Sequence, residues 1–285
     1  MFARFSRSWS LVKASAGVLA KDKELLVFPL LSGICTMIVV AAFLLPLFGL
    51  GLLDGLDASD PGVGVQAGAY VLAFLFYLTQ YFVIFFFNSA LVGAAMIRLE
   101  GGDPGIKDGL RIAAGKVVPI LGYALIAATV GMVLRVIQER AGWLGRIVAG
   151  LIGVAWTVAS FLVVPVLVSR DIGPLDAVKE SAVLLKETWG ENLIGQGGIG
   201  LVFGLFYFAL VIVGVAAVVL AAMSGSGVVV VAVLVLLGLI LLLTGLVQAA
   251  LAGIYSAALY RHATNSGATD GFDQALLAQA FKIKA

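Results

Sequence analysis

Apolar positions along this chain gather into six long runs, at residues 25–53, 65–97, 117–137, 143–168, 193–223 and 228–260, separated by short stretches that hold most of the charge. Each run is long enough to cross the ~20-residue helical thickness of a bilayer's hydrocarbon. Six transmembrane helices are therefore expected. The second and sixth runs exceed an upright crossing, and tilt or protrusion beyond the bilayer would absorb the excess. A re-entrant break near Gln80 or Asn88 is the competing account of the second run.

Between the runs the period of the pattern changes. Phe2, Phe5, Trp9, Val12, Ala16 and Leu19 recur at alternating three- and four-residue steps, with Arg4 and Arg7 opposite, which is the pattern of an interfacial helix. A second such stretch follows run two, where Asp103 is placed to N-cap and Pro104 to take the first helical position, with Ile106, Leu110, Ala113 and Val117 as the stripe. Lys107, Asp108 and Arg111 face away. A third follows run four: Gly173 and Pro174 open a helix with Leu175, Val178, Ala182, Leu185 and Trp189 on one side and Asp176, Lys179, Glu180, Lys186 and Glu187 on the other. Phe5, Trp9, Leu175, Val178, Leu185 and Trp189 are the candidate interfacial residues.

The fold class this predicts is all-α: a polytopic membrane protein with six transmembrane helices and amphipathic cytoplasmic interfacial helices, forming a single domain over residues 1–285. A threefold internal repeat would divide it into units 1–99, 100–170 and 171–260, followed by a cytoplasmic tail, 261–285, with a weaker amphipathic pattern at Phe272, Leu276, Ala280 and Ile283. The simpler explanation of the repeat is that any bundle with an even number of spans places Arg at its cytoplasmic ends.

Charge orients this arrangement. Of the 18 Lys and Arg residues, only Arg135, Arg140 and Arg146 fall on one side of the plane that the runs define. Arg4, Arg7, Lys13, Lys21, Lys23, Arg98, Lys107, Arg111, Lys116, Arg170, Lys179, Lys186, Arg261, Lys282 and Lys284 fall on the other. Basic residues in short loops stay cytoplasmic, so both termini are expected inside. The first twenty residues have the composition of a targeting peptide, but the apolar run after them is too long for a signal sequence, so they are read as mature protein. With 62% hydrophobic and 12% charged residues, the segments outside the runs are too short for a soluble domain. The polarised basic charge suits an anionic membrane surface rather than nucleic acid.

Candidate chemistry is sparse. No Asp, Glu, Lys or Arg lies near the middle of a run, which argues against ion pumps, proton-coupled transporters and voltage sensors. Among the polar residues within the runs are Thr79, Gln80, Asn88, Thr157, Gln196, Thr244 and Gln248, which serve either as interhelical hydrogen-bonding groups or, in the case of Gln80, Asn88 and Gln248, as the lining of a polar path. Residues 195–200 match G-x-G-x-x-G, but no strand precedes them and Leu220 stands where a ribose-binding acid belongs. Gly200 with Gly204, and Ala249 with Gly253 and Ala257, are small-residue ridges for close helix packing. The lone His262 and lone Cys35 leave no ligand set for a metal, and no cofactor is expected. Glu100, Asp103, Asp108, Asp171 and Asp176 gather on the cytoplasmic side, as helix caps and partners of basic residues or as a divalent-cation site.

Residues 173–189, GPLDAVKESAVLLKETW, followed directly by a Gly-rich run, resemble the amphipathic segment of bacterial multi-span proteins related to the membrane domain of glycerophosphodiester phosphodiesterases. Residues 5–13 with 21–29 look like the opening of bacterial six-span families of similar design. The resemblance implies a bundle in a bacterial inner membrane and carries no phosphodiesterase domain with it. The function expected is non-enzymatic: organising or sensing lipid, or serving in a membrane complex with other membrane proteins or further copies of itself. A channel or transporter for a small or lipidic solute is the alternative.

Overall fold

The computed structural model describes residues 2–49, 63–140, 142–189, 198–264 and 272, and among these every regular element is helical. In chain order they are α1 Phe2–Lys21, a 3-10 turn Lys23–Leu26, α2 Val27–Gly49, α3 Val63–Leu99, α4 Ile106–Gly115, α5 Val117–Arg140, α6 Trp143–Ala159, α7 Val163–Ser169, α8 Pro174–Trp189, α9 Gly198–Met223 and α10 Gly227–Ala263. Six segments are long and apolar enough to cross a membrane: Lys23–Pro46, Ala67–Leu99, Val117–Arg140, Trp143–Ser169, Phe203–Met223 and Gly227–Ala263. The chain is an all-α, multi-pass membrane protein.

Run two contains no break. α3 is continuous over 37 residues, as is α10, and at 1.5 Å per residue each is ~55 Å long against a hydrocarbon thickness of ~30 Å. The basic end of each helix is the end flanked by most of the Lys and Arg. There α3 is buried from Ser89 to Ala95 and at Leu99, and α10 is buried from Ala250 to Arg261 with only Ala252 half-exposed.

Run four, in contrast, is interrupted. α6 stops at Ala159 and α7 resumes at Val163, because Pro165 has no N–H to donate and its ring crowds the carbonyl four residues back. The amides at the interruption are all satisfied: Ser160 N–H by Trp156 O at 2.9 Å, Phe161 N–H by Val158 O at 3.1 Å, Val163 N–H by Ser160 O at 3.2 Å, and Leu162 N–H by the Ser181 hydroxyl at 3.0 Å. Irregular backbone is tolerated at this depth only when so satisfied and enclosed, and Leu162 to Leu167 are fully buried.

α4 begins at Ile106, later than Asp103 and Pro104 suggested. Residues 100–103 belong instead to the end of α3, where Gly101 takes φ +88°, its N–H reaches Arg98 O at 3.0 Å, and Gly102 N–H reaches Ile97 O at 3.0 Å. This is a Schellman-type stop. Gly105 caps α4, and its N–H donates to Asp108 Oδ2 at 3.0 Å. Pro174 does open α8.

The chain divides into two compact units. In the unit of Val27–Ala94 and Pro104–Lys186, α4 crosses the basic end of α3 so closely that a methyl at Gly109 would lie 2.6 Å from Ala90 O, and one at Gly93 would lie 2.8 Å from the Ile112 side chain. α5 packs antiparallel to α6, and the Tyr123 ring stacks on Phe85 at 4.4 Å between centroids. A methyl on Gly122 would meet the Pro174 ring at 2.8 Å, so the start of α8 rests on α5. In the unit of Met1–Leu26, Ala95–Asp103 and Glu187–Ala285, α9 and α10 form a hairpin against which α1 packs. Gly214 faces Leu237 in that hairpin, and a methyl there would sit 3.3 Å from its side chain, whereas the space beside Gly204 is open. Gly253 and Ala257 are buried, while Ala249 is exposed.

Candidate functional site

Thr79, Gln80, Thr157 and Thr244, within the spans, bond the protein's own backbone. The hydroxyls of Thr79, Thr157 and Thr244 each donate to the carbonyl four residues earlier, Leu75 at 2.8 Å, Gly153 at 2.9 Å and Ile240 at 2.7 Å. Such a bond hides the hydroxyl from lipid without offering it to a solute. Gln80 Nε2 donates to Thr36 O at 3.4 Å, which ties α3 to α2, while its Oε1 is buried and meets no partner among the described residues. Asn88 and Gln248 are half-buried. Gln80 and Asn88 belong to one compact unit and Gln248 to the other. Gln196 and residues 195–197 of the glycine motif lie outside the described residues.

Charge concentrates at the basic end, and each of the five carboxylates singled out from the sequence meets a base. Asp108 caps α4 and lies 3.6 Å from Arg111, Asp176 lies 3.4 Å from Lys179, and Asp103 lies 3.7 Å from Arg98. Asp171 bonds the Lys116 ammonium, which also donates to Arg170 O at 3.0 Å. That pairing holds the Asp171 carboxyl below its ordinary range. It also ties the corner between α4 and α5 to the segment before α8, where Arg170 pairs with Glu180 at 2.8 Å. Glu100 bonds the Arg261 guanidinium, whose side chain is only 8% exposed. Among the described residues no group of His, Cys, Asp and Glu is arranged to hold a metal.

Asp22 is the unusual acid. It follows α1 directly, is 7% exposed, and its Oδ1 accepts the Glu24 N–H at 3.2 Å to cap the 3-10 turn. Its Oδ2 is buried with no partner among the described residues. Burial raises its carboxyl above the ordinary value, more strongly than the Glu24 amide and the Arg98 charge lower it.

The interfacial stripes are rotated from the expected ones. In α1 the buried positions are Val12, Ser15, Val18 and Leu19, while Trp9 is 44% exposed with the Lys13 ammonium 5.6 Å from its ring centre. In α8 they are Ala177, Ser181, Leu184 and Leu185. Leu185, expected to face lipid, is 2% exposed and packs inside the protein, whereas Leu175 is 62% exposed and Val178 is intermediate. In α8, Ser181 caps the broken span, so the helix face that carries it turns inward. The side chains of Phe5 and Trp189 lie outside those described.

Six apolar helices, threonines folded onto their own carbonyls and paired surface charges define a multi-pass membrane protein. Residues 67–272, α3 onwards, match the model of a family of unknown function, DUF6159, and the chain belongs to that family. No curated protein and no solved structure matches it. The family match brings no phosphodiesterase relative with it, so the resemblance of residues 173–189 adds nothing to the functional reading.

Proposed function

We propose that this protein is a non-enzymatic component of a bacterial cytoplasmic membrane that organises or senses lipid, alone or within a membrane complex, with both termini on the cytoplasmic side. The observation that carries the reading is the fate of the intramembrane polar groups. Thr79, Thr157 and Thr244 bond their own helices and Gln80 bonds the neighbouring one, so these four side chains are turned to the protein rather than offered to a solute. The basic-residue asymmetry supports the orientation.

The test is flux. Purified protein in liposomes should release trapped ions and small polar solutes no faster than protein-free vesicles. Reproducible flux that disappears in a normally stable double variant, Gln80→Leu with Asn88→Leu, would replace this reading with the transporter. Orientation is checked separately: with Cys35 replaced, an impermeant thiol reagent should label Ser59→Cys from outside and Ser266→Cys only after the membrane is opened.

A further inference from the structure

The three bases on the side opposite the basic end are gathered in one place, the tip of the α5–α6 hairpin, and they are used differently. Arg135 is committed to the protein: its Nε donates to Glu139 Oε1 at 2.7 Å and its Nη1 to the Tyr77 hydroxyl at 2.5 Å. Arg140, the last residue of α5, and Arg146, early in α6, are exposed, and their guanidinium groups have no ion-pair partner among the described residues. Arginine in a short loop on this side works against the orientation that the other fifteen bases favour. Two that serve no contact within the protein point to a ligand outside it.

The surroundings of these two arginines indicate its chemistry. Trp143, Ile147, Gly150 and Val154 recur at steps of four, three and four along one face of α6, and all four are exposed, Trp143 at 68%. Nothing lies within 4 Å of the position a methyl would take on Gly150, so this face is hollow one turn beyond Arg146. The segment Trp143–Ser169 has 27 residues against the ~20 needed to cross the hydrocarbon, long enough to place Trp143 at headgroup level. Tryptophan settles there because its ring is apolar and its N–H is a donor. Two cations at that level, heading an exposed apolar face, match an amphiphile with phosphate at one end and hydrocarbon at the other, whereas a soluble acidic partner would meet only the charge. We infer that Arg140, Trp143 and Arg146 form a headgroup site for anionic phospholipid, with the phosphate held by the two guanidinium groups and an acyl chain laid along Ile147, Gly150 and Val154. Guanidinium matches phosphate geometry bidentately, and the ammonium of a zwitterionic headgroup would meet two groups of its own sign. This rests on the lipid-organising reading and gives it a ligand class and a place.

The full-length protein, with Trp9, Trp156 and Trp189 changed to Phe, would be placed in mixed phosphatidylcholine–phosphatidylglycerol bilayers in which the acyl chains of one or the other lipid are brominated. Trp143 should be quenched more by brominated phosphatidylglycerol, and added salt should reduce the preference. Arg140→Gln and Arg146→Gln should each lower the preference about fivefold, the ratio equivalent to about 1 kcal/mol per basic residue near an anionic surface, while Arg146→Lys, which keeps the charge, retains most of it. In case the triple Phe background does not fold, the unaltered protein offers a second readout: phenylglyoxal modification of Arg140 and Arg146, followed by mass spectrometry, should be slower in anionic than in neutral bilayers. Equal quenching by the two lipids, a preference untouched by both Gln variants, or equal modification in the two bilayers overturns the inference. So does a Trp143 shielded from both lipids until the protein is diluted within the bilayer, which would make a second copy the occupant. Flux is read independently, so a Trp143 without preference in non-leaking vesicles removes only this inference, and leaking vesicles remove the broader reading.

Discussion

One helix, α10, shows two different environments along its length. From Gly227 to Leu243 it is built of Val and Leu and exposes them, with Val228 80% accessible. From Ala250 to Arg261 it is rich in Ala, Gly and Ser and is buried throughout apart from the half-exposed Ala252. α3 repeats the contrast, with exposed Tyr70, Val71, Leu75 and Ile84 giving way to buried Ser89, Ala90, Gly93, Ala94 and Ala95. Small residues are concentrated in the buried halves, where they lie among buried Leu91, Val92, Leu251, Ile254 and Leu259. Lipid tails are as apolar as Leu, so large side chains gain little by leaving them, while small residues let backbones approach and recover dispersion energy and hydrogen bonds. The tight contacts of Gly109 with Ala90 and of Gly93 with Ile112 are the product of that rule.

The strongest way to break the contrast is to enlarge a contact residue at the basic end. Gly109→Val places methyl groups against Ala90 O and Phe28, neither of which can withdraw cheaply. Thermal unfolding in detergent should show a loss of about 3 kcal/mol, the upper end of overpacking costs. Leu220→Ala in the outer half, where the side chain is exposed, serves as the control and should change stability little. A next test removes charge from the same end. Arg261→Ala leaves Glu100 without its guanidinium, and because Glu100 is half-exposed the loss should be about 2 kcal/mol, between a buried and a surface pair. Ser181→Ala should cost about 1 kcal/mol through the orphaned Leu162 amide, and it should increase hydrogen exchange at the broken span specifically.

A smaller effect comes from pH. Asp22 has its folded carboxyl raised above the ordinary 3.8, so the packed form holds a proton more tightly than the unfolded one. Its contribution to stability is greatest below the unfolded value and declines as pH rises through the raised folded one. Asp171, lowered by Lys116, works in the other direction: its contribution is present above the ordinary value and disappears as pH falls through the lowered one. Asp22→Asn keeps an oxygen for the Glu24 N–H and removes the ionisation. The variant should gain on wild type as pH rises above 3.8, and a difference independent of pH would contradict the assignment.

The helices were legible in the sequence because their signal is local: long apolar runs bounded by charge, Pro174 at a helix start, and Gly253 with Ala257 where α10 is buried. The interruption at Ser160 to Leu162 was not, although Pro165 marks it, because the run stays apolar across the break. The buried faces of α1 and α8 take in Val12, Leu19 and Leu185 of the expected stripes but also Ser15 and Ser181, which hydropathy does not mark for burial. The pairings of Lys116 with Asp171 and Arg261 with Glu100 join residues far apart in the chain, and no spacing rule announces them. Of the polar span residues, Gln80 looks the same in sequence whether it bridges helices or lines a path, and its contact with Thr36 O is one that no spacing rule announces.

Collision accessibility of spin labels, scanned along α3 and α10 in a reconstituted bilayer, tests the central claim most directly. Labels in the outer half, at Val71, Leu75, Leu234 and Leu242, should meet membrane-dissolved oxygen freely and a water-soluble nickel reagent hardly at all. Labels at the buried Ala94 and Ala258 should be shielded from both. Labels at Gln80, Asn88 and Gln248 should likewise show no nickel accessibility. A nickel-accessible stripe running through those three positions would mean that water enters the spans, and the protein would then be a conduit rather than an organiser of lipid.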